Sequence, residues 1–426
     1  MSTTPSTADR LRTLFQPVLR GGTPIRLRAW DGSETGPADA PALVIHDRRA
    51  LRRLLWKPNQ LGLARAWVAG EIDVDGDLYE LLLRLATVVW NEDGGGDRPG
   101  ALRLLREAAS LGVLGPQPPP PPEEVRMPGR AHTRSRDRRA ISHHYDVSND
   151  FYRLILGPSM VYSCAYWRDD ESTLDVAQRD KLDLICRKLG LRKGQRLLDV
   201  GCGWGSLAIH AAREYGVEVV GVTISREQAD LARKRAAEAG LADRVEIRLQ
   251  DYREVTDGPY DAIASVGMAE HVGPAVYAAY AAILFRLLRP GGRLLNHQIA
   301  ARTDTTAVDA DDPSFINRYV FPDGQLVPLG TTATLIEDAG FEIRDVEALR
   351  PHYALTLREW SRNLEAHWDE AVELAGLGRA RVWRLYMAAC ALAFETDRIG
   401  VNQILAVRPH EDGRDPLPMT RAWMMP

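Results

Sequence analysis

The chain has 426 residues, with 54 basic and 58 acidic side chains and a formal net charge of −4, so no global cationic field points to nucleic acid as a partner. Its cysteines (Cys164, Cys186, Cys202, Cys390) lie far apart without a CxxC pair, which argues against a disulfide frame or a zinc site and for reduced thiols in the cytoplasm. Met1 to Arg12 is polar, without the apolar centre of a secretory leader. The longest apolar run, Leu385 to Phe394, is bounded by Arg384 and Glu395 and falls far short of the roughly 20 residues of a membrane span.

The length suggests two or three domains. Three segments are expected: a first unit over 1–115, a connector over 116–138 and a second domain over 139–426. Leu11, Leu14, Phe15, Val18 and Leu19 recur at helical spacing, with Arg10, Arg12 and Arg20 around them. Pro17 shortens or kinks that helix. A basic amphipathic helix of this kind either packs on its own domain or lies on a membrane surface. Asp31-Gly32-Ser33 and Asp93-Gly94-Gly95-Gly96-Asp97 read as turns or loops. Pro116 and Pro118 to Pro122 read as a stiff extended connector. The basic run after it (Arg126, Arg130, Arg134, Arg136, Arg138, Arg139) has two readings, a solvated connector or a grip on anionic lipid headgroups.

From Arg196 to Ile299, strand patterns alternate with helical ones, as a parallel doubly wound α/β sheet requires. The strand Leu197 to Val200, with Asp199 in it, runs into Gly201, Gly203 and Gly205 before a helix from Leu207 to Tyr215. Glycines there let backbone approach a ligand that a Cβ would repel. A dinucleotide fingerprint needs G-x-G-x-x-G and an acid about 20 positions on. Here Ser206 stands in place of the third glycine, and the strand Glu218 to Val222 ends at Thr223 without a carboxylate. The spacing instead fits S-adenosylmethionine (SAM), which has no pyrophosphate to lay on a helix N-terminus. The strand Val245 to Gln250 ends at Gln250-Asp251-Tyr252, on the edge where such sheets bind ligands. Gln250 and Asp251 suit the adenine amino group and ring, although Asp251 also suits a helix cap. Ala262 to Val266 leads to Gly267 and on to Glu270-His271, placing Glu270 at the same edge. Pro290-Gly291-Gly292 reads as a turn before the strand Arg293 to Ile299. Residues 300–330 break the rhythm. Phe341 to Leu349 and Gln403 to Val407 are the last strands, with flanking helices from Thr356 to Leu374 and Arg379 to Thr396.

Several blocks then occur in one order: His143-His144-Tyr145-Asp146-Val147-Ser148-Asn149-Asp150-Phe151-Tyr152, Tyr162-Ser163-Cys164-Ala165-Tyr166-Trp167, the glycine turn, Gly221-Val222-Thr223-Ile224-Ser225 with Gln228, Gln250-Asp251-Tyr252, and Met268-Ala269-Glu270-His271-Val272-Gly273. From about His143 onward the chain resembles the cyclopropane-fatty-acid synthase and mycolic-acid methyltransferase family. The resemblance implies a seven-stranded SAM-methyltransferase sheet in which Thr223 and Gln228 replace the usual ribose-binding acid. It also implies that the insert over 300–330 forms an α-rich lid walling an acyl tunnel. Leu61-Gly62-Leu63-Ala64-Arg65-Ala66-Trp67-Val68-Ala69-Gly70-Glu71 looks like the N-terminal domain of bacterial members that act on membrane phospholipids. Leu295-Asn296-His297, Arg318 to Gly324 and His352 to Trp360 look most like a subgroup that methylates oleoyl chains to a 10-methylene product, which a partner reductase makes into 10-methylstearoyl. The expected setting is therefore cytoplasmic, peripheral at the inner face of the cell membrane. A homodimer is plausible there, since two copies of a weak anchor hold better than one.

In that chemistry the cis double bond attacks the methyl carbon of SAM and leaves a carbocation on the acyl chain. The site must be dry, or water traps the cation. It must align the alkene with the S–CH3 bond at about 3–3.5 Å, and it needs a base. The resemblance implies that a bound bicarbonate is the base, held by the residues matching Cys164, Glu270, His297, Ile299 and Tyr353. His297 and Tyr353 can donate hydrogen bonds to an anion, as can backbone at Cys164 and Ile299. A charged Glu270 would be repelled by such an anion, by roughly 4 kcal/mol at 4 Å and an effective dielectric near 20, so it must share a proton or stay neutral through a raised pKa. Tyr162 and Ser163 are expected at the carboxylate or sulfonium of SAM, and Trp204 screens the sulfonium by a cation–π contact or simply packs. His144 and Asp146 are expected to lock the first helix over the cofactor. The quoted residues leave the product open between a methylene branch, favoured by subgroup likeness, and a cyclopropane ring. Competing readings are a non-catalytic lipid-binding subunit and a methyltransferase acting on an ordinary O or N nucleophile.

Overall fold

The computed structural model describes residues 5–16, 23–89, 101–125, 136, 148–302, 314–322, 324–413 and 417–424. The His143 to Val147 block, the Arg126 to Arg139 run apart from Arg136, the Asp93 to Asp97 loop, residues 303–313 of the expected lid, and Val18, Leu19 and Arg20 lie outside them.

Contacts divide the chain into two compact units, neither continuous in sequence. The first comprises Met1–Arg126 with Pro313–Val320 and Gly376–Leu392. Its sheet is built from β1 (Arg26–Arg28), β2 (Glu34–Thr35), β3 (Ala42–Ile45) and β4 (Ile72–Asp75), in the order β2-β1-β3-β4. The helices Arg49–Trp56 and Gln60–Val68 join β3 to β4. The N-terminal helix runs from Thr7 to Phe15, capped by Ser6, and stops before Pro17, where a proline ring would clash with the preceding turn. Ala8 and Leu11 are buried, and Thr35 of β2 donates to Asp9 at 3.0 Å, so the apolar face packs on its own unit.

The proline-rich stretch is tied down. Arg53 donates to the Pro119 carbonyl at 2.7 Å, and Arg65 grips Glu124 through two bonds of 2.6 Å. The Val125 amide donates to the Arg318 carbonyl at 2.8 Å, and the Tyr319 hydroxyl to Glu124 at 3.2 Å, which brings the returning segment in. Arg381 anchors the other returning segment. Its guanidinium lies 4.4 Å from the Trp67 ring centre, donates to the carbonyls of Trp67 and Ile72 at 2.7 and 2.5 Å, and meets Asp73 at 2.9 Å. Trp67 answers by donating its indole N–H to the Arg381 carbonyl at 2.8 Å.

The second unit is built on β5 (Arg196–Val200), β6 (Glu218–Thr223), β7 (Val245–Leu249), β8 (Tyr260–Val266), β9 (Leu288–Ala301), β10 (Glu342–Ala348) and β11 (Ile399–Val407), in the order β10-β11-β9-β8-β5-β6-β7. Neighbours from β9 through β8, β5 and β6 to β7 run parallel, and β11 is antiparallel to both β9 and β10. This is the seven-stranded doubly wound sheet the sequence implies. Apolar residues of the helices Leu174–Leu189 and Ser206–Tyr215 fill one face, and those of Pro274–Leu287 and Leu329–Asp338 the other. Strand order reverses between β5 and β8, and the crevice beyond their carboxyl ends is where such sheets accept ligands.

Two elements differ from expectation. Pro290-Gly291-Gly292 is not a turn but an irregular stretch inside β9: Gly291, at φ +74°, and Gly292 exchange backbone bonds with Arg408, which carries the strand on past them. The helix expected from Thr356 to Leu374 is two, Arg350–Ala366 and Trp368–Ala375. The break falls at His367, whose backbone leaves the helical region (φ −121°, ψ 34°) while its N–H, at 3.2 Å, and its ring nitrogen, at 2.9 Å, both meet the Asn363 carbonyl.

Replacing Arg381 with Met should remove its ion pair with the partly exposed Asp73 and strand the two carbonyls. We expect urea unfolding to show a loss of about 3–5 kcal/mol, and a loss below about 1 kcal/mol would mean that Trp67 packing alone holds this segment.

Candidate active site

β5 ends in three glycines with positive φ: +78° at Gly201, +53° at Gly203 and +80° at Gly205. Their reasons differ. A Cβ on Gly205 would meet Ala232 Cβ at 3.1 Å, so this glycine lets the following helix pack closely on Arg226–Glu238. A Cβ on Gly203 would meet nothing within 4 Å, so conformation and open space, not packing, call for that residue. The helix Ser206–Tyr215 starts without a side-chain cap, leaving leading amides for another acceptor.

Beyond this turn lies one cavity lined by Tyr162, Ser163, Asp199, Gly201, Gly203, Trp204, Thr223, Gln228, Gln250, Asp251 and Tyr252. Every expected cofactor residue therefore shares it except Gly205, which serves packing behind the wall. Thr223 donates to Gln228 Oε1 at 2.8 Å, so the two residues that stand for a ribose-binding acid are already tied to one another. Gln250 donates to the Glu254 carbonyl at 2.9 Å. Asp251 faces the cavity and also caps the short turn Tyr252–Glu254, accepting from the Arg253 amide at 2.9 Å and its guanidinium at 2.6 Å. The cap reading of Asp251 therefore holds, and the same residue lines the cavity. Trp204 donates its indole N–H to Asn149 at 2.8 Å, which fixes the ring at the turn.

Cys164, Glu270, His297, Ile299 and Tyr353 are not part of that lining, although Ser163 and His271, chain neighbours of Cys164 and Glu270, are. Glu270 Oε1 accepts from the Ile299 amide at 2.8 Å, so this N–H, expected to face an anion, is taken by the carboxylate. Glu270 Oε2 is shielded from solvent and has no hydrogen-bond partner among the described residues. Burial pushes this carboxyl up to about 7, against a smaller lowering by the Ile299 bond. His297 is opposite Val266 in the β8–β9 register and opposite Gln403 in β11. The Gln403 amide nitrogen lies 3.3 Å from its Nδ1. With Nδ1 accepting from that amide, the proton of the neutral ring sits on Nε2; with the amide turned over, Nδ1 donates to Gln403 Oε1 and Nε2 is the acceptor. That Nε2 is buried and also without a partner. Burial, with Lys181 and Lys188 nearby, holds the imidazole well below its usual pKa, hence neutral.

Cys164 is fully buried, its thiol pushed up by burial, and its Sγ sits 3.6 Å from the Leu349 carbonyl. Tyr353 begins one turn further on, with its amide on that same carbonyl at 3.2 Å. A file of aromatic rings connects it to the glycine turn: Phe394, Tyr353, Trp360, Tyr162, Tyr152 and Trp204, with centroid spacings of 4.6, 6.0, 5.4, 5.8 and 4.8 Å. Such rings exclude water and present π-faces to a cation.

Sequence reasoning missed Gln178, Lys181, Gln403 and Phe394. Gln178 and Lys181 are buried on Leu174–Leu189 among mostly apolar residues, with Asp180 and Lys188 the other buried polar groups of that helix. A lysine in the middle of an apolar helical stripe was the available signal. Gln403 carried none, because only the strand register brings it to His297. Among the described residues no cluster of His, Cys, Asp and Glu could hold a metal ion.

Residues 132–404 match the family model described as mycolic acid cyclopropane synthetase. The chain is 43% identical over 418 residues to "Probable fatty acid methyltransferase Rv3720" of Mycobacterium tuberculosis, covering 95% of this chain and 96% of that one. It is 36% identical over 404 residues to the "Tuberculostearic acid methyltransferase UfaA1" of the same organism, covering 90% and 88%. Among solved structures, the mycolic acid cyclopropane synthase CmaA1 complexed with SAH and CTAB superposes with a TM-score of 0.60 at 35% identity, covering 63% of this chain and 98% of that one.

The Glu270 carboxyl has a measurable signature. Its folded pKa lies above the ordinary 4.5 at about 7, so the stability it contributes is full below about pH 4.5 and lost as pH rises through about 7. Glu270→Gln keeps the acceptor for Ile299 and cannot ionise. Relative to the parent, its unfolding free energy should rise by on the order of 2–3 kcal/mol between about pH 5 and pH 8. A pH-independent difference would mean that the carboxyl titrates normally.

Proposed function

Because this chain belongs to the mycolic acid cyclopropane synthetase family, we propose that it is a SAM-dependent C-methyltransferase acting on the cis double bond of unsaturated acyl chains in membrane phospholipids. The preferred product is a 10-methylene branch, precursor of a 10-methyl chain that a partner reductase would complete. The observation that carries this reading is the cavity at the glycine turn, backed by a buried polar cluster and walled by aromatic rings.

SAM supplies an electrophilic methyl group when bound. Tyr162, Ser163, Asp199, Gly201, Gly203 and Trp204 would hold its amino-acid and sulfonium end, and Thr223, Gln228, Gln250, Asp251 and Tyr252 its nucleoside. The aromatic file keeps the reacting region dry, so that charge on the acyl chain meets π-faces and not water. Two buried atoms unpaired among the described residues fit an anion: His297 Nε2 carries a proton to donate in the tautomer whose Nδ1 accepts from Gln403, and Glu270 Oε2 can carry one at neutral pH. Bicarbonate, when bound, supplies a proton acceptor, and Cys164, Glu270, His297 and Tyr353 would hold it, with Ile299 acting through Glu270. Gln403 orients His297, Ile299 orients Glu270, and Glu270 takes up or returns a proton at Oε2.

The N-terminal segment 1–115, with the connector 116–138, is taken as the lipid-associated part of a peripheral enzyme that works from the cytoplasmic face of the membrane as a homodimer. No described helix is long and apolar enough to cross a bilayer. The alternative product is a cyclopropane ring, favoured by the likeness to CmaA1. Both outcomes share the first alkylation and differ in whether a hydride migrates before proton loss.

The chain expressed in a host with oleoyl phospholipids should yield acyl chains heavier by one CH2. Vinylidene proton signals in the purified esters identify the branch, and high-field ring protons the cyclopropane. Glu270→Gln should cut product formation by about 10²–10⁴-fold. A folded protein that binds SAH but leaves the lipids unchanged overturns the proposal.

A further inference from the structure

We infer that Lys181 is a cofactor-binding residue: seated on Ser163, its ammonium holds the carboxylate of the amino-acid tail of SAM while Asp199 holds the ammonium of that tail. The inference rests on the SAM reading of this cavity and assigns one wall of it.

Lys181 lines the cavity and is 1% exposed. Its Nζ donates to Ser163 Oγ at 2.8 Å, and it has no ion pair among the described residues. An ammonium has three N–H groups, so one bond leaves capacity for an acceptor. Lone buried charges are costly and are normally paired. Asp199 lines the same cavity at 2% exposure, and its Oδ2 is buried without a partner. The two groups feel each other electrostatically without making a bond. A buried cation and a buried anion that share a cavity wall without pairing match a ligand carrying both signs close together. An α-amino acid is such a ligand.

The arrangement is rigid. Gln178, one helical turn before Lys181, donates to the carbonyls of Ser163 and Val161 at 2.9 and 3.4 Å. It pins the segment that presents Ser163 Oγ, and positions three apart on a helix share a face. Burial also brings the Lys181 ammonium down to about 8 and lifts Asp199 to about 7, so each charge gains from an opposite charge brought by a ligand.

Calorimetric titration with three ligands tests the assignment: SAH, its decarboxylated analogue, and 5′-methylthioadenosine, which lacks the amino-acid carbons. The parent protein should prefer SAH over the decarboxylated analogue. Lys181→Met should weaken SAH by about 10–100-fold, the worth of a hydrogen bond to a charged group, while leaving the other two ligands unchanged. Retained methylthioadenosine binding also shows that the variant is folded. Equal loss for all three ligands, or no loss for SAH, would overturn the inference. So would a parent protein indifferent to the carboxylate, whatever the variant does. A parent protein that binds none of the three would instead overturn the SAM reading beneath it.

Discussion

Hydrogen-bonding atoms withheld from both water and protein are the constraint on which the rest depends. Among the described residues Glu270 Oε2, His297 Nε2 and Asp199 Oδ2 are all buried without partners, and each such group costs on the order of 1–3 kcal/mol. They fall at the carboxyl edge of β5, in the segment after β8 and within β9, around one crevice. The hydrophobic layers on the two faces of the sheet must outweigh that cost. The fold holds these atoms in place because their other ends are tied: Glu270 through Ile299, His297 through Gln403.

The same low-dielectric setting explains the protonation states. Burial makes Glu270 a weak acid and His297 a weak base, so both lose charge near neutrality. Two neutral buried groups can accept an anion that two charged groups of opposite sign would instead exclude by pairing with each other. The chemistry thus turns on removing solvent as much as on any single side chain.

Much of this was legible in the sequence. Alternating apolar runs and the glycine turn give the parallel strands, and the strand-end positions put Asp199, Thr223, Gln250 and Glu270 on one edge. The rest depends on pairings that local pattern does not encode. Gln403 meets His297 only because β11 inserts antiparallel beside β9. The Ile299 amide turned out to serve Glu270, a choice set by the segment after β8 folding back on the sheet. Pro290-Gly291-Gly292 carries strong turn chemistry, yet Arg408 overrides it from more than a hundred residues away.

Trp67 and Glu124 find their partners Arg381 and Tyr319 at the far end of the polypeptide. Synthesis proceeds from the N-terminus, so the opening unit leaves the ribosome with the Trp67 indole and the Trp67 and Ile72 carbonyls still awaiting Arg381, and with Glu124, already held by Arg65, still without Tyr319. It can reach its final packing only after the residues through Leu392 have emerged. Nascent chains must therefore wait, and a cut anywhere near residue 126 severs one folding unit and does not release a module.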